Sequence, residues 1–205
     1  MIQRRNAGLP VLPRLRDDVS GMTLVEFGLV LPVFFLMLFG LFDLGQMMYA
    51  RAMLAGAVEE AGRAASLEIR DVGAADDRVE QAVQRVAPGA RVRPTRVSYY
   101  DFADIARPER WNDQNRNGTC DNRESYTDEN GNGRWDADIG VTQTGTNAGG
   151  AGDVVLYTVS ITYDRLFKVP FLPGSTQQTL SATTVKKNQP FADQTRYGSA
   201  AGVCA

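Results

Sequence analysis

The sequence predicts an α+β fold, a long N-terminal helix packed against a small antiparallel β-sheet. Three observations predict it. An apolar run from Met22 to Phe42 passes directly into an alanine-rich stretch that ends near Leu67, so one helix accounts for both. Helical periodicity then stops at Pro88-Gly89. Beyond that stop three segments, residues 91–100, 153–163 and 178–185, are rich in β-branched and aromatic residues. A sheet laid on the helix is the economical way to bury both, and 205 residues suit one modest domain plus an anchor.

The first part of the long helix carries no charge from Phe27 to Phe42, and Asp43 ends the run. With residues 22–25 added it reaches the roughly 20 residues needed to cross a bilayer core. Arg4, Arg5, Arg14 and Arg16 upstream make a basic leader, which the positive-inside rule keeps cytoplasmic, placing everything after Asp43 outside the inner membrane. The expected organisation is a leader at residues 1–21, a transmembrane helix at 22–45 and an exported domain at 46–205, with an Asn/Asp/Gly-rich loop at 112–152. Glu26 stands out at the mouth of the apolar run, because an unpaired charge in hydrocarbon costs about 2.5–3.5 kcal/mol on insertion scales. It needs a positive partner. Two blander readings compete: a secretory signal cut near Ala50-Arg51-Ala52, and an uncleaved anchor in which Glu26 is incidental. The length of the run and the polar Asp43 and Gln46 ahead of that cut argue against the secretory signal.

From Gln46 onward the helix is built of strong helix formers. Ala52, Ala55, Gly56, Glu59 and Arg63 recur at helical spacing, so this face is expected to let another helix or a sheet approach closely. A second helix over residues 74–86 aligns Val79, Ala82, Val83 and Val86. The middle strand alternates over Val155, Tyr157, Val159, Ile161 and Tyr163. Residues 167–174 make the turn between the last two strands. A buried turn is expected there, with the membrane surface as the other place for so apolar a cluster. Residues 142–152 read as a flexible linker.

Composition narrows the function. With 22 basic and 24 acidic residues the net charge is −2, and it falls to −4 without residues 1–21, so nothing basic remains to hold a nucleic-acid backbone. The chain has no histidine, which removes the commonest general base, and no nucleophile or cofactor motif marks a small-molecule substrate site. A non-enzyme is expected. The two cysteines, Cys120 and Cys204, would meet an oxidising compartment, where a disulfide between them is favoured over free or intermolecular thiols.

Between the first two predicted strands lies a calcium-type pattern, D-x-N-x-N-G followed by five residues and Glu. Asp113, Asn115 and Asn117 offer alternate oxygens, Gly118 permits the sharp turn, the Thr119 carbonyl adds an oxygen, and Glu124 can close the shell. A second copy offers Asp128, Asn130 and Asn132 before Gly133. Its twelfth position is Ile139, so Asp136 or Asp138 is expected to close it. Calcium is the expected cofactor. Neither loop has convincing helices on its flanks, and a polar turn that binds nothing is the competing reading.

Gly21-Met22-Thr23-Leu24-Val25-Glu26-Phe27, a cut site with Glu at the fifth position after it, resembles the type IV prepilin processing site. The wider segment Val25-Glu26-Phe27-Gly28-Leu29-Val30-Leu31-Pro32, followed by Gly40-Leu41-Phe42-Asp43-Leu44-Gly45, resembles the TadE-like pseudopilins of the tight-adherence (Flp) pilus system. The resemblance covers residues 20–67. It implies a pilin-like body, cleavage between Gly21 and Met22 by an inner-membrane prepilin peptidase, and assembly with other pilins and the Tad machinery into an adhesive pilus. Asp17-Asp18 depart from the usual basic leader. The rival expectation is a membrane-anchored calcium-binding adhesion protein that never enters a pilus.

Overall fold

The computed structural model describes residues 21–67, 71–145, 147–167 and 176–204. Residues 1–20 of the expected leader (1–21) and residues 168–174 of the expected turn (167–174) lie outside them. Helix α1 spans Met22–Ala65 and α2 spans Val72–Val86. Among the described residues the strands are β1 (Arg91–Tyr99), β2 (Ser125–Asp128), β3 (Val141–Gln143), β4 (Val154–Asp164), β5 (Gln177–Lys187) and β6 (Ala200–Val203). The order β3-β1-β4-β5 makes a four-stranded antiparallel sheet, and β2 pairs with β6 in a separate ribbon. The α+β expectation holds: a long apolar helix and a small antiparallel sheet.

α1 has two environments. Along its first half large apolar side chains face outward, with Leu24, Leu29 and Met37 all more than 70% exposed. The second half turns Ala50, Leu54, Val58, Ala61, Gly62 and Ala65 inward at helical spacing. Pro32 lies inside the first half and takes away the backbone donor that would meet the Gly28 carbonyl. An aqueous helix loses about 3 kcal/mol by this, whereas membrane spans tolerate it.

The inward face is not the expected one. Ala52, Ala55 and Gly56 point outward. Alanine occurs all round this part of the helix, so small size could not choose a side. Leu54 and Val58 choose it, because full burial of such side chains is worth about 1.5–3 kcal/mol each. They pack with Ala75, Val79 and Val83 of α2 and with Tyr157, Val159 and Ile161 of β4. The alternation foreseen in β4 is present, every second residue from Val155 to Tyr163 being buried. Gly62 marks the closest approach of α1 to the sheet: a Cβ there would lie 2.6 Å from Thr184 Cγ2.

α2 starts at Asp71, whose carboxylate accepts the Ala74 N–H at 2.9 Å. A polar clamp fixes this helix to the sheet. The buried guanidinium of Arg96 in β1 donates to both carboxylate oxygens of Asp76 and lies 4.3 Å from the centre of the Tyr157 ring. The Tyr157 hydroxyl donates to the same carboxylate at 2.6 Å. Burial, then the Asp76 charge, pushes that phenol above its ordinary range.

Three short strands escaped sequence reading, and the linker expected at residues 142–152 is partly built structure. Its start belongs to β3, Ala148 and Ala151 are buried, and the Asn188 amide donates to the carbonyls of Ala148 and Gly150 at 2.8 Å. Cys120 and Cys204 form the expected disulfide, closing a separation of 84 residues. A bridge of that span contributes roughly 4–5 kcal/mol on the chain-entropy model. It also holds β6 against β2, with Cys204 N–H donating to the Glu124 carbonyl at 2.9 Å.

Candidate functional site

Two regions hold the residues the sequence singles out, the start of α1 and the paired loops over residues 113–138. Gly21 is the N-cap of α1, which begins at Met22, and a glycine has no side chain with which to cap the first N–H groups. Met22 and Glu26 stand four residues apart and so share one face of the helix. Glu26 is exposed, as is Phe27 at 62%. Among the described residues no side chain of the most apolar stretch of α1 is buried, and the helix is long and apolar enough to span a membrane.

In the first loop the Asp113 carboxylate accepts the N–H groups of Asn117 and Gly118 at 3.1 and 3.0 Å. The Asn115 and Asn117 side-chain oxygens accept the N–H two residues on, and their amide nitrogens both donate to Asp121 at 2.8 Å. Glu124 ties the ends together: one oxygen takes the N–H groups of Gln114 and Asn115, the other that of Asp121. Arg116 and Gly118 take positive φ, 61° and 78°. The glycine meets that requirement without the steric penalty the arginine carries.

The second loop repeats the scheme. Asp128 accepts from Asn132 and Gly133 at 3.1 and 2.8 Å, and also from Gly131. Asn130 and Asn132 accept two residues on and donate to Asp136. Gly131 and Gly133, at the positions of Arg116 and Gly118, have φ of 77°. The part Glu124 plays is taken by Glu109, a fully buried carboxylate outside the motif. One Glu109 oxygen accepts the N–H groups of Glu129 and Asn130 at 2.7 and 3.2 Å, and the other that of Asp136 at 3.2 Å.

The expected closing residues sit elsewhere in this scheme. Asp136 corresponds to Asp121, the amide acceptor. Asp138 turns away, accepting the Tyr99 hydroxyl at 3.0 Å and the Gly140 N–H at 3.0 Å. Burial, then that carboxylate, pushes the Tyr99 phenol up to about 12. Glu109 lies ahead of Asp128 in the chain and outside the twelve-residue motif, so the motif's spacing does not point to it.

An ion network supports the base of the second loop. Arg107 donates to Glu129 at 2.9 and 3.1 Å and to Asp104 at 2.9 Å, and the Tyr197 hydroxyl donates to Asp104. Burial alone would raise the Glu129 carboxyl, but the Arg107 guanidinium and the Arg110 N–H outweigh it and hold the pKa below its ordinary value.

Among the described residues no three carboxylates or thiols converge closely enough to hold a metal by themselves. An ion in either loop would therefore draw on the asparagine oxygens and backbone carbonyls as well. The donor chemistry fits a hard cation: each asparagine oxygen spends one lone pair on a backbone N–H and has a second, and oxygen-only shells of six to eight ligands suit calcium.

Residues 21–63 match the model of the family described as TadE-like protein. Over that stretch the chain is similar to the TadE-like family, as the sequence suggested. No curated protein and no solved structure matches the chain.

Proposed function

We propose that this chain is a minor pseudopilin: a single-pass subunit inserted by α1, trimmed after Gly21 and handed into a Tad-type pilus by lateral packing of that helix. The observation that carries the reading is the TadE-like match over a helix whose apolar first half is largely exposed. A helix so exposed needs lipid or neighbouring helices around it. A family of pilus-associated structural proteins supports a structural role over a catalytic one.

Cleavage would leave a new α-amine on Met22, charged at neutral pH because α-amino groups titrate near 7.7–8.0. It would sit at the positive end of the helix dipole, an unfavourable place for a cation. Glu26, about 6 Å further along the axis at 1.5 Å per residue, is placed to offset it on the same or an adjacent subunit. Glu26→Ala should therefore still insert, at least as well as wild type, and fail to enter sheared pili. Unchanged incorporation would mean that the carboxylate is incidental, and wild-type chain confined to the inner membrane would favour the anchored adhesion protein.

We propose further that calcium orders the two loops, through Asp113, Asn115, Asn117 and Glu124 in the first and Asp128, Asn130, Asn132 and Glu109 in the second. The support is the repetition of one oxygen arrangement, with Glu109 filling the role for which the second motif has no residue of its own. Both loops belong to an exported body, where millimolar calcium suffices for a weak site.

A further inference from the structure

The segment that follows β4, residues 165–167, lies against the apolar stretch of α1. The Phe167 ring stacks on Phe39 with centroids 4.6 Å apart, and lies 6.5 Å from Phe42. The Leu166 N–H donates to Asp43 at 3.2 Å, and the Arg165 guanidinium lies 3.7 Å from the same carboxylate. Leu166 and Phe42 are each more than half exposed at this level. We propose that the segment 165–167 just after β4 is a second membrane contact, with Leu166 and Phe167 in the outer boundary of the hydrocarbon and Arg165 at the lipid phosphates. The proposal rests on the reading of α1 as a membrane span.

Depth is the argument. Residues 22–42 cover about 30 Å at 1.5 Å per residue, the thickness of a bilayer core, so Phe39 and Phe42 occupy the last turn inside it. A ring stacked on Phe39 shares its depth. Two apolar side chains held there meet lipid, not water, and the partner is fixed by the helix that carries them. Charge agrees with this placement. Asp43, the first charge after the apolar run, is turned toward this segment and offset by Arg165, whose long side chain can keep its head among phosphates while its stem lies in apolar surroundings.

The test uses the full chain in phosphatidylcholine vesicles, with tryptophan placed by Leu166→Trp or, as a mid-span reference, by Leu36→Trp. Both sites are exposed, so the larger ring fits, and wild type supplies the baseline emission of Trp111 and Trp135. Leu166→Trp should add blue-shifted emission that is lost to lipids brominated near the glycerol. Leu36→Trp should be quenched best by bromine deep in the acyl chains. Quenching of Leu36→Trp with none of Leu166→Trp would overturn the second contact and leave the span intact. Quenching of neither would overturn both.

Discussion

Glu109 and Glu124 do the same work in two copies of one loop, although Glu124 closes its loop from within and Glu109 enters the other from ahead of it in the chain. Each uses one oxygen for the second and third N–H groups of its loop and the other for the ninth. The duplication is thus complete in space and incomplete in sequence. It makes Glu109 the sharpest place to probe the metal reading.

A ligand that binds only the folded chain raises stability by mass action, by about 2.7 kcal/mol at a hundredfold excess over its dissociation constant. Wild type in detergent should melt at a higher temperature with calcium than with chelator, and magnesium should substitute poorly because it demands a tighter octahedral shell. Glu109→Gln should remove much of the calcium increment while Asp128 remains in place. Calorimetry giving wild type one Tm in calcium and in chelator would reduce both loops to polar turns.

The contact between Gly62 and Thr184 gives a packing prediction. Alanine normally gains about 1 kcal/mol over glycine inside a helix, but overpacking a tight contact costs about 1–3 kcal/mol. Gly62→Ala should therefore lower stability, since its Cβ would press on Thr184 Cγ2. Thr184→Ser deletes that methyl and keeps the hydroxyl that donates to Glu59 at 2.6 Å, so adding it should restore the loss. Gly56→Ala, with open space at its Cβ, should not destabilise the monomer. Denaturant unfolding of wild type and the three variants decides it, and an unaltered Gly62→Ala midpoint would contradict the packing described.

What the sequence made legible follows from the length of each signal. α1, α2, β1, β4 and β5 are each nine or more residues long, enough for composition or period to show. β2, β3 and β6 have three or four residues each, and β6 is Ala200-Ala201-Gly202-Val203, which has little strand propensity of its own. Tertiary constraints hold it in place, the neighbouring disulfide and the pairing with β2. Periodicity cannot see such constraints. The same limit explains the misjudged face of α1, where alanines obscured the stripe, and the missed Glu109, whose role depends on a chain crossing. The cysteine pair was legible because two thiols in an oxidising compartment leave few alternatives.

Glu59 gives a pH prediction. The hydrogen bond from Lys186, then that from Thr184, lowers its pKa from 4.5 to about 2. A carboxyl depressed in the folded state contributes stability that is present above its unfolded pKa and lost as pH falls through the folded one. The Tm advantage of wild type over Glu59→Gln should accordingly be full above pH 4.5 and vanish as pH approaches about 2. A difference that stays constant across that window would show that the carboxylate charge contributes nothing there.

The central claim is that α1 is a processed assembly helix, and the mass of the chain recovered from pili tests it most directly. Intact-mass measurement should find a protein beginning at Met22, and Gly21→Val should leave an uncut precursor that stays out of the pilus. Pilus-borne chain that retains residues 1–20 would contradict the account.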